Sequence, residues 1–239
     1  MRILYQDDYL AAVDKPPGLL VHRTGLDAGE TRFALQMLRD QLGRPVWPVH
    51  RLDKGTSGVL LFALDAGTAR ELAQAFEEGG AVHKTYQAIV RGWPADEGWI
   101  DHPLRRLPDD VRAARTEVQA AQTRFRTLAR YALPVPTAGF AGTRCAGVEL
   151  QPLTGRRHQL RRHLKHIAHP IIGDATHGKG PLNRALAAPL GLQRLWLHAA
   201  RLELPAVGAR AAVCIEAPLG EDWGRWEAWR VVGDPPGLR

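Results

Sequence analysis

Apolar residues run unbroken over residues 59–64, with the sequence VLLFAL, directly after a charged segment. Six residues are too few for most helices, and a strand that is covered on both faces has this continuous apolar pattern. We therefore predict a central buried strand here. Residues 3–22, with the sequence ILYQDDYLAAVDKPPGLLVH, predict two short strands and then a turn at residues 16–18.

Two segments have the apolar spacing of amphipathic helices. In the first, TRFALQMLRDQLG, leucines recur at helical spacing, Thr31 stands at the N-cap position, and Gly43 ends the helix. In the second, GTARELAQAFEEGG, four apolar residues share one face. Later strands are predicted in five segments: VHKTYQAIVRG, TRFRTLARYAL, RCAGVELQPL, WLHAARLELP and ARAAVCIEAP.

Many strands with few helices between them predict an α+β fold, in which helices flank a mixed, mostly antiparallel sheet. We expect one domain over residues 1–239, since the chain has no long linker and no internal repeat. The polar, arginine-rich segment 101–118 is predicted to be a surface loop that a bound ligand can order.

Composition adds a preference for anionic partners. Lys and Arg exceed Asp and Glu by seven, and the isoelectric point is near 9.9. This balance favours a nucleic acid or an anionic membrane surface, although some proteins are merely basic. No apolar run approaches the roughly 20 residues that span a bilayer, so we expect no membrane segment. With two cysteines and no apolar leader, the chain is expected in the cytoplasm.

The segment TGRRHQLRRHLKHIAHP predicts a helix that ends before Pro170 and has an apolar and a cationic flank. At about 100° per residue, Arg157, Arg161 and Lys165 follow one another at i, i+4 and i+8 beside the apolar arc. Arg161 lies nearest the border, where it can reach inward to a carboxylate. A solvated basic face is the ordinary explanation, but no acidic residue stands at i±4, which favours an external anion.

Other chemistries find little support. His163, His166 and His169 drift around the helix instead of converging, so we predict no metal site. Ser57 precedes a strand, whereas a hydrolase nucleophile elbow lies between a strand and a helix. The glycine-rich stretches match neither phosphate-binding motif, so we predict no nucleotide cofactor.

Asp53 is the remaining candidate, in the segment HRLDKGTSG before the buried strand. The neighbouring positive charges of Arg51 and Lys54 favour its carboxylate form. It is either half of a structural salt bridge or a nucleophile or general base that the strand holds steadily in a cleft. Spacing alone does not decide between these roles.

Three motifs in this order resemble the RluA-type RNA pseudouridine synthases: HRLDKGTSGVLLFA, KTYQAIVRG and LTGRRHQLRRHLKHIAHPIIGDATHG. The opening strands resemble that family too, and the similarity covers nearly the whole chain except the segment 101–118. The resemblance implies a pseudouridine synthase-like catalytic domain that isomerises a uridine in RNA without cofactor or metal. No S4-type RNA-binding domain is expected, since the synthase-like strands start at Ile3.

The resemblance also assigns roles. Asp53 matches the essential aspartate of the family, and whether it acts on the sugar or on the base stays open. Tyr86 matches the aromatic residue that packs on the target base, and Arg161 matches the basic residue that pairs with the aspartate. Leu197 matches an apolar residue that lines the pocket.

The target atoms lie inside a stacked helix, so the nucleotide must be extruded at a cost of a few kcal/mol. His50 and Arg51 are placed either to fill the vacated space or to hold the strand. Basic residues around the site, namely Arg156, Arg157 and Lys165, are expected to bind phosphates, which sets the register of the RNA.

The segment HGKGPLNRALAAPLGLQRLWLHAARLEL and the doubled arginine in QLRRH resemble a branch of the family that modifies tRNA. The implied target is uridine 65, near the junction of the acceptor and T stems. We therefore favour tRNA over ribosomal RNA, and expect a monomer without an obligate protein partner. Two other classes stay open: a non-catalytic RNA-binding protein, and a metal-dependent hydrolase built on Asp53 and His50.

Overall fold

The structure is a computed structural model that describes residues 1–22, 29–78, 81–107, 117–137, 139–206 and 210–232. The strands are β1 (Arg2–Gln6), β2 (Leu10–Lys15), β3 (Trp47–Pro48), β4 (Ser57–Ala63), β5 (His83–Arg91), β6 (Glu97–Asp101), β7 (Leu104–Arg105), β8 (Val118–Gln119), β9 (Gln122–Leu133), β10 (Thr143–Pro152), β11 (Leu197–Leu204) and β12 (Val213–Glu216). The helices are α1 (Ala34–Leu42), α2 (Ala66–Glu78), α3 (Gln159–His166), α4 (Gly180–Leu190) and a final 3₁₀ helix (Glu221–Trp229).

The chain divides into two compact units. The first comprises Met1–Tyr86 with His198–Pro218, and the second comprises Gln87–Leu197 with Leu219–Arg239. This division does not test the prediction of one domain over residues 1–239, which stays a prediction.

In the first unit, strands β1, β2, β4 and β11 are neighbours in that order. The pairs β1–β2 and β2–β4 are antiparallel, whereas β4 and β11 are parallel, with Ser57 opposite His198. All seven residues of β4 are buried. Alternate residues of this strand belong to two apolar clusters, one shared with Leu72 of α2 and the other with Leu38 of α1. The central buried strand is therefore confirmed, and helices from both sides explain why its sequence is apolar throughout.

In the second unit, strands β5, β10, β9 and β6 are neighbours. Strands β9 and β10 form a long antiparallel pair, with ten residue pairs in register. The core contains Trp196 and Trp226, whose rings meet edge to face at 5.4 Å, together with Leu186 of α4. This unit carries α3 on β10.

The α+β class with a mixed, mostly antiparallel sheet and flanking helices is confirmed, as are the predicted strands. The predicted N-cap at Thr31 is wrong, because Phe33 occupies the cap position and α1 begins at Ala34. The sequence did not predict α4 or the 3₁₀ helix; α4 is rich in alanine and contains Pro189, which obscures its period. Within the described residues, no helix is both long and apolar enough to cross a membrane.

The predicted surface loop over residues 101–118 is shorter than expected at its two ends. There, β7 and β8 pair antiparallel, with Leu104 opposite Gln119. Residues 108–116 lie outside the described residues.

Candidate active site

Asp53 lies on the loop that leads into β4, and its side chain is half-buried. Its carbonyl oxygen accepts a hydrogen bond from the Thr56 N–H at 3.0 Å, which closes a turn just before the strand. The carbonyl oxygen of Lys54 accepts a second bond, from the Gly18 N–H at 2.8 Å. The backbone on which Asp53 is carried is therefore fixed on both sides, as a catalytic carboxylate requires.

Lys15 is a positioning residue that the sequence analysis missed. It is fully buried, and its Nζ donates to the carbonyl oxygens of Pro16 at 3.0 Å, Leu19 at 2.7 Å and Lys54 at 3.1 Å. A buried ammonium is costly unless its donors are satisfied, and three carbonyl acceptors match the three N–H donors. Lys15 thus joins the turn after β2 to the loop of Asp53. A lysine at the end of a buried strand was the only sequence signal for this role.

Tyr86 lies on β5 and packs against the apolar cluster that contains Leu60 and Phe62 of β4. Burial and the nearby negative charge of Asp53 together raise the pKa of the Tyr86 phenol well above its ordinary value. The phenol is therefore neutral at any working pH. The structure thus brings together Asp53 and Tyr86, the two residues of the first unit that the resemblance assigned to catalysis.

His50 has a structural environment. Its Nε2 accepts a hydrogen bond from the Leu61 N–H at 3.0 Å, and its ring stacks on Phe76 with centroids 4.9 Å apart. Burial, with the positive charge of Lys84, lowers the pKa of His50 to about 3. A neutral ring that bonds β4 fits the second of the two predicted roles, holding the strand. Arg51 is exposed beside it.

Ser57 and His198 form a buried pair between the parallel strands β4 and β11. Ser57 Oγ lies 2.9 Å from His198 Nδ1, and His198 Nε2 lies 3.1 Å from the carbonyl oxygen of Ala217. A carbonyl only accepts, so Nε2 carries the proton and Nδ1 accepts from the serine hydroxyl. His198 is 2 % exposed, so the pair bonds the strands to one another and does not present a nucleophile to solvent.

Arg161 lies in the second unit, on α3, and is buried with 8 % exposure. Its guanidinium forms a two-pronged ion pair with Asp174, from Nε to Oδ2 at 2.7 Å and from Nη2 to Oδ1 at 2.8 Å. Asp174 was not predicted as its partner, because it stands 13 positions away in the segment IIGDATHG. The predicted pairing of Arg161 with Asp53, which belongs to the first unit, stays a prediction.

Asp174 is itself held firmly. Its Oδ1 accepts from the backbone N–H groups of Thr176 at 2.9 Å and His177 at 2.8 Å, and its carbonyl oxygen accepts from the Asn183 amide at 3.0 Å. Burial acts to raise the pKa of Asp174, but the bonds from Arg161 and the His177 N–H outweigh it and leave that pKa below its ordinary value. The direction in which the Arg161 guanidinium points is therefore fixed by the fold.

The predicted cationic row of Arg157, Arg161 and Lys165 is wrong as a continuous helical feature. The helix α3 begins only at Gln159, because His158 has a left-handed backbone with φ 53°. Arg157 thus precedes the helix, whereas Arg161 reaches inward to a carboxylate, as its position at the border of the apolar arc predicted. The acidic partner lies far along the chain, where a search at i±4 does not reach. Lys165 is exposed, as predicted.

Arg156 is half-buried before α3, where its Nε donates to the carbonyl oxygen of Ala120 at 3.1 Å. Leu197, at the start of β11, is buried with 3 % exposure. His163 is also buried and bonds Thr123 Oγ1 at 2.9 Å and the carbonyl oxygen of His102 at 3.0 Å. In the described part of the chain, no three His, Cys, Asp or Glu side chains are grouped as metal ligands.

Comparison with known proteins gives consistent matches. A family model described as RNA pseudouridylate synthase matches residues 9–166. The protein named tRNA pseudouridine synthase C from Vibrio cholerae is 47% identical over 227 residues, which are 93% of this chain and 93% of the relative. A relative of the same name from Salmonella typhimurium is also 47% identical, over 93% of this chain and 87% of its own.

Solved structures show the same fold. The structure titled human RNA pseudouridylate synthase domain containing 1 superposes with a TM-score of 0.74 at 26% identity. The match covers 99% of this chain and 91% of that one. The predicted fold class is thus confirmed at the level of the whole chain.

Proposed function

Because the chain belongs to the RNA pseudouridylate synthase family, we propose that it isomerises one uridine of tRNA to pseudouridine, with Asp53 as the essential carboxylate. The proposed target is uridine 65, near the junction of the acceptor and T stems. The names of the relatives, which match nearly the full length of both chains, support tRNA as the substrate. Ribosomal RNA is the alternative substrate.

The observation that carries the proposal is that Asp53 and Tyr86 lie in the same unit, close enough for the Asp53 charge to act on the Tyr86 phenol. A half-buried carboxylate stands on a fixed loop, and its charge acts on the buried phenol of an aromatic residue. An aromatic ring gives a flipped base a surface on which to stack, while the carboxylate remains able to reach the reacting nucleotide. A non-catalytic RNA-binding protein has no need of a carboxylate held in this way.

In the proposed reaction, the target nucleotide is extruded from its helix, at a cost of a few kcal/mol, so that its reacting atoms reach Asp53. The bond from N1 to the sugar breaks, the base turns, and C5 bonds the sugar in its place. C5 loses its proton and N1 gains one, so that the atoms of substrate and product are the same. The Asp53 carboxylate acts either on the sugar or as a base, and the fixed loop keeps it in place for either role.

Residues outside this pair are proposed to bind the RNA. Arg51 is exposed beside Asp53, and Lys165 is exposed on α3. Such cations bind phosphates and set the register without reading sequence. The predicted monomer, the lack of an obligate protein partner and the cytoplasmic location stay predictions.

The test is release of tritium from tRNA that carries uridine tritiated at C5, incubated with the wild-type protein. We expect release to approach one equivalent per tRNA, and a position map of the product to place pseudouridine at residue 65. Release from ribosomal RNA but not from tRNA would refute the tRNA substrate. Binding of both RNAs without release from either would refute the catalytic function.

Tyr86 offers a second measurement with the same assay. Since its raised pKa keeps the phenol neutral, we expect the ring to matter more than the hydroxyl. Tyr86→Leu should therefore lose at least about tenfold more single-turnover rate than Tyr86→Phe, because leucine removes the stacking surface and leaves a cavity. Tyr9→Phe, at an exposed tyrosine of the same unit, is the control and should retain the wild-type rate. Equal losses for the two Tyr86 variants would assign the role to the hydroxyl instead.

A further inference from the structure

A pocket of about 530 Å³ lies in the second unit, between α3 and the pair of short strands β7 and β8. It is open to solvent and therefore suits part of a larger ligand. The residues on which its character depends are three cations and three histidines: Arg105, Arg162, Lys165, His102, His166 and His177. The remaining lining residues are Pro103, Leu104 and Val118, so none of the nine is acidic.

The three cations come from separate parts of the fold. Arg162 and Lys165 stand three positions apart on α3, a spacing that places them on one side of a helix, and Arg105 reaches the same pocket from β7. Among the described residues, none of these three side chains has an ion pair or a hydrogen bond. Their mutual repulsion is therefore uncompensated within that part of the protein, as expected for a site whose counter-charge is a ligand.

A carboxylate close to the pocket lining is already neutralised. Asp174 adjoins His177, but it is engaged by both prongs of the Arg161 guanidinium. Burial lowers the pKa of His177; Asp174 acts in the opposite direction, and the positive charges of Arg161, Lys165 and Arg162 act in the same direction as burial. The pocket lining thus carries three cations and no carboxylate, and Asp174 beside it is paired with Arg161.

The histidines give the pocket a defined shape. The rings of His102 and His166 stack face to face with centroids 3.7 Å apart. His163, which is fully buried behind them, holds the backbone of His102 through the bond from Nε2 to the carbonyl oxygen. The His102 side of this wall is therefore anchored to the core, and the exposed ring of His166 stacks on it.

An anion with several acceptor oxygens matches these donors. Guanidinium, ammonium and imidazole groups all donate to phosphate oxygens, and the openness of the pocket leaves room for a chain that continues in two directions. An acidic peptide carries single carboxylates on mobile side chains, whereas an RNA backbone presents a phosphodiester at a fixed distance from the nucleotide that reacts. The latter suits a pocket built on the same helix as Arg161.

We propose that this pocket, formed by Arg105, Arg162, Lys165 and the stacked histidines, binds one backbone phosphodiester of the substrate RNA. The inference rests on the proposed function for the identity of the RNA, but the binding site is defined by its own residues. A phosphate held here fixes the distance along the RNA between that contact and the nucleotide that is modified.

The test is the double variant Arg162→Gln/Lys165→Gln, with Arg184→Gln as the control. Arg184 is exposed on α4 in the same unit and does not line the pocket. The binding of unmodified tRNA is measured by fluorescence anisotropy over a range of salt concentrations. We expect the Kd of the double variant to rise about tenfold and its salt slope to fall by about 1, the change for one lost phosphate contact. The control should keep more than half of the wild-type affinity.

Titration of the wild-type protein with inorganic phosphate gives a measurement without RNA. We expect the imidazole NMR signals of His102 and His166 to shift, the signal of the exposed His83 to stay in place, and the shifts to vanish in the double variant. These signals, together with circular dichroism, also show whether the variant is folded.

The outcomes separate the two proposals. A folded double variant with wild-type Kd and salt slope would overturn the phosphate site, even if the wild type releases tritium. Weakened binding and a reduced slope, in a protein whose wild type releases no tritium from any RNA, would support the phosphate site and refute the catalytic function. Shifts of all histidine signals alike would show nonspecific binding and would also overturn the site.

Discussion

We expect Asp53→Asn to abolish tritium release, with a single-turnover rate at least about a thousandfold below that of the wild type. Asparagine keeps the shape of the side chain but removes the charge and the nucleophilic oxygen. The loop should keep its conformation, because the hydrogen bonds from Thr56 N–H, Gly18 N–H and Lys15 Nζ all go to backbone carbonyl oxygens. The affinity for tRNA should therefore stay within a few-fold of the wild-type value, as measured by anisotropy.

Asp8→Asn is the matched control, since Asp8 is exposed in the turn between β1 and β2 of the same unit. It removes one negative charge and should leave the rate unchanged. If Asp53→Asn instead lowered rate, affinity and melting temperature together, Asp53 would be a structural residue and the catalytic assignment would be wrong.

Asp174→Asn is expected to cause the largest loss of stability. The wild-type carboxylate and the Arg161 guanidinium are 1% and 9% exposed, so the variant leaves a buried cation without its counter-charge. Breaking a buried pair in this way costs about 3–5 kcal/mol in the free energy of unfolding. Urea unfolding, followed by the fluorescence of the tryptophan cluster around Trp226, measures the loss.

Asp96→Asn is the control for this change, because Asp96 pairs with Arg130 at 2.6 Å with 83% and 37% of the side chains exposed. An exposed pair of this kind contributes less than about 1 kcal/mol. Similar losses for the two variants would mean that burial of the Arg161 pair has no special weight. A loss below about 1 kcal/mol at Asp174 would contradict the prediction outright.

The same pair predicts how stability depends on pH. The pKa of Asp174 is lower in the folded protein than in the unfolded chain, where it is about 4. Its contribution is therefore fully present above the unfolded value and is lost as the pH falls through the folded value. The difference in unfolding free energy between the wild type and Asp174→Asn should shrink on acidification below about pH 4.

Arg161 illustrates how position and role separate. Its place on α3 was predictable, as was a carboxylate partner, since it stands at the border of the apolar arc. Which carboxylate it meets in the second unit depends on the turn after α3, where Asp174 is held by Thr176, His177 and Asn183. Asp174 thus fixes the direction of the Arg161 guanidinium.

Local patterns in the sequence are enough to predict the strands, the helix α1 and the candidate aspartate, although not α4 or the 3₁₀ helix. An unbroken apolar run predicts β4, and helical spacing of leucines predicts α1. Both patterns arise because the segment is buried, whichever side chains cover it. The motifs around Asp53 and Tyr86 identified the family because each consists of consecutive residues. Such a motif can be read from the sequence without knowing how the chain folds.

The side chains that contact those residues depend on how distant parts of the chain pack together. Lys15 contacts Lys54 across 39 positions, and Arg161 contacts Asp174 across 13. The pocket that is proposed to bind phosphate joins β7 to α3 across more than 50 positions, between Arg105 and Arg162. Periodicity reports which side of an element is buried but not which side chain lies opposite, because that depends on how separate elements pack. The partners of a buried charge are therefore absent from the local pattern, although the cost of leaving that charge unpaired is what selects them.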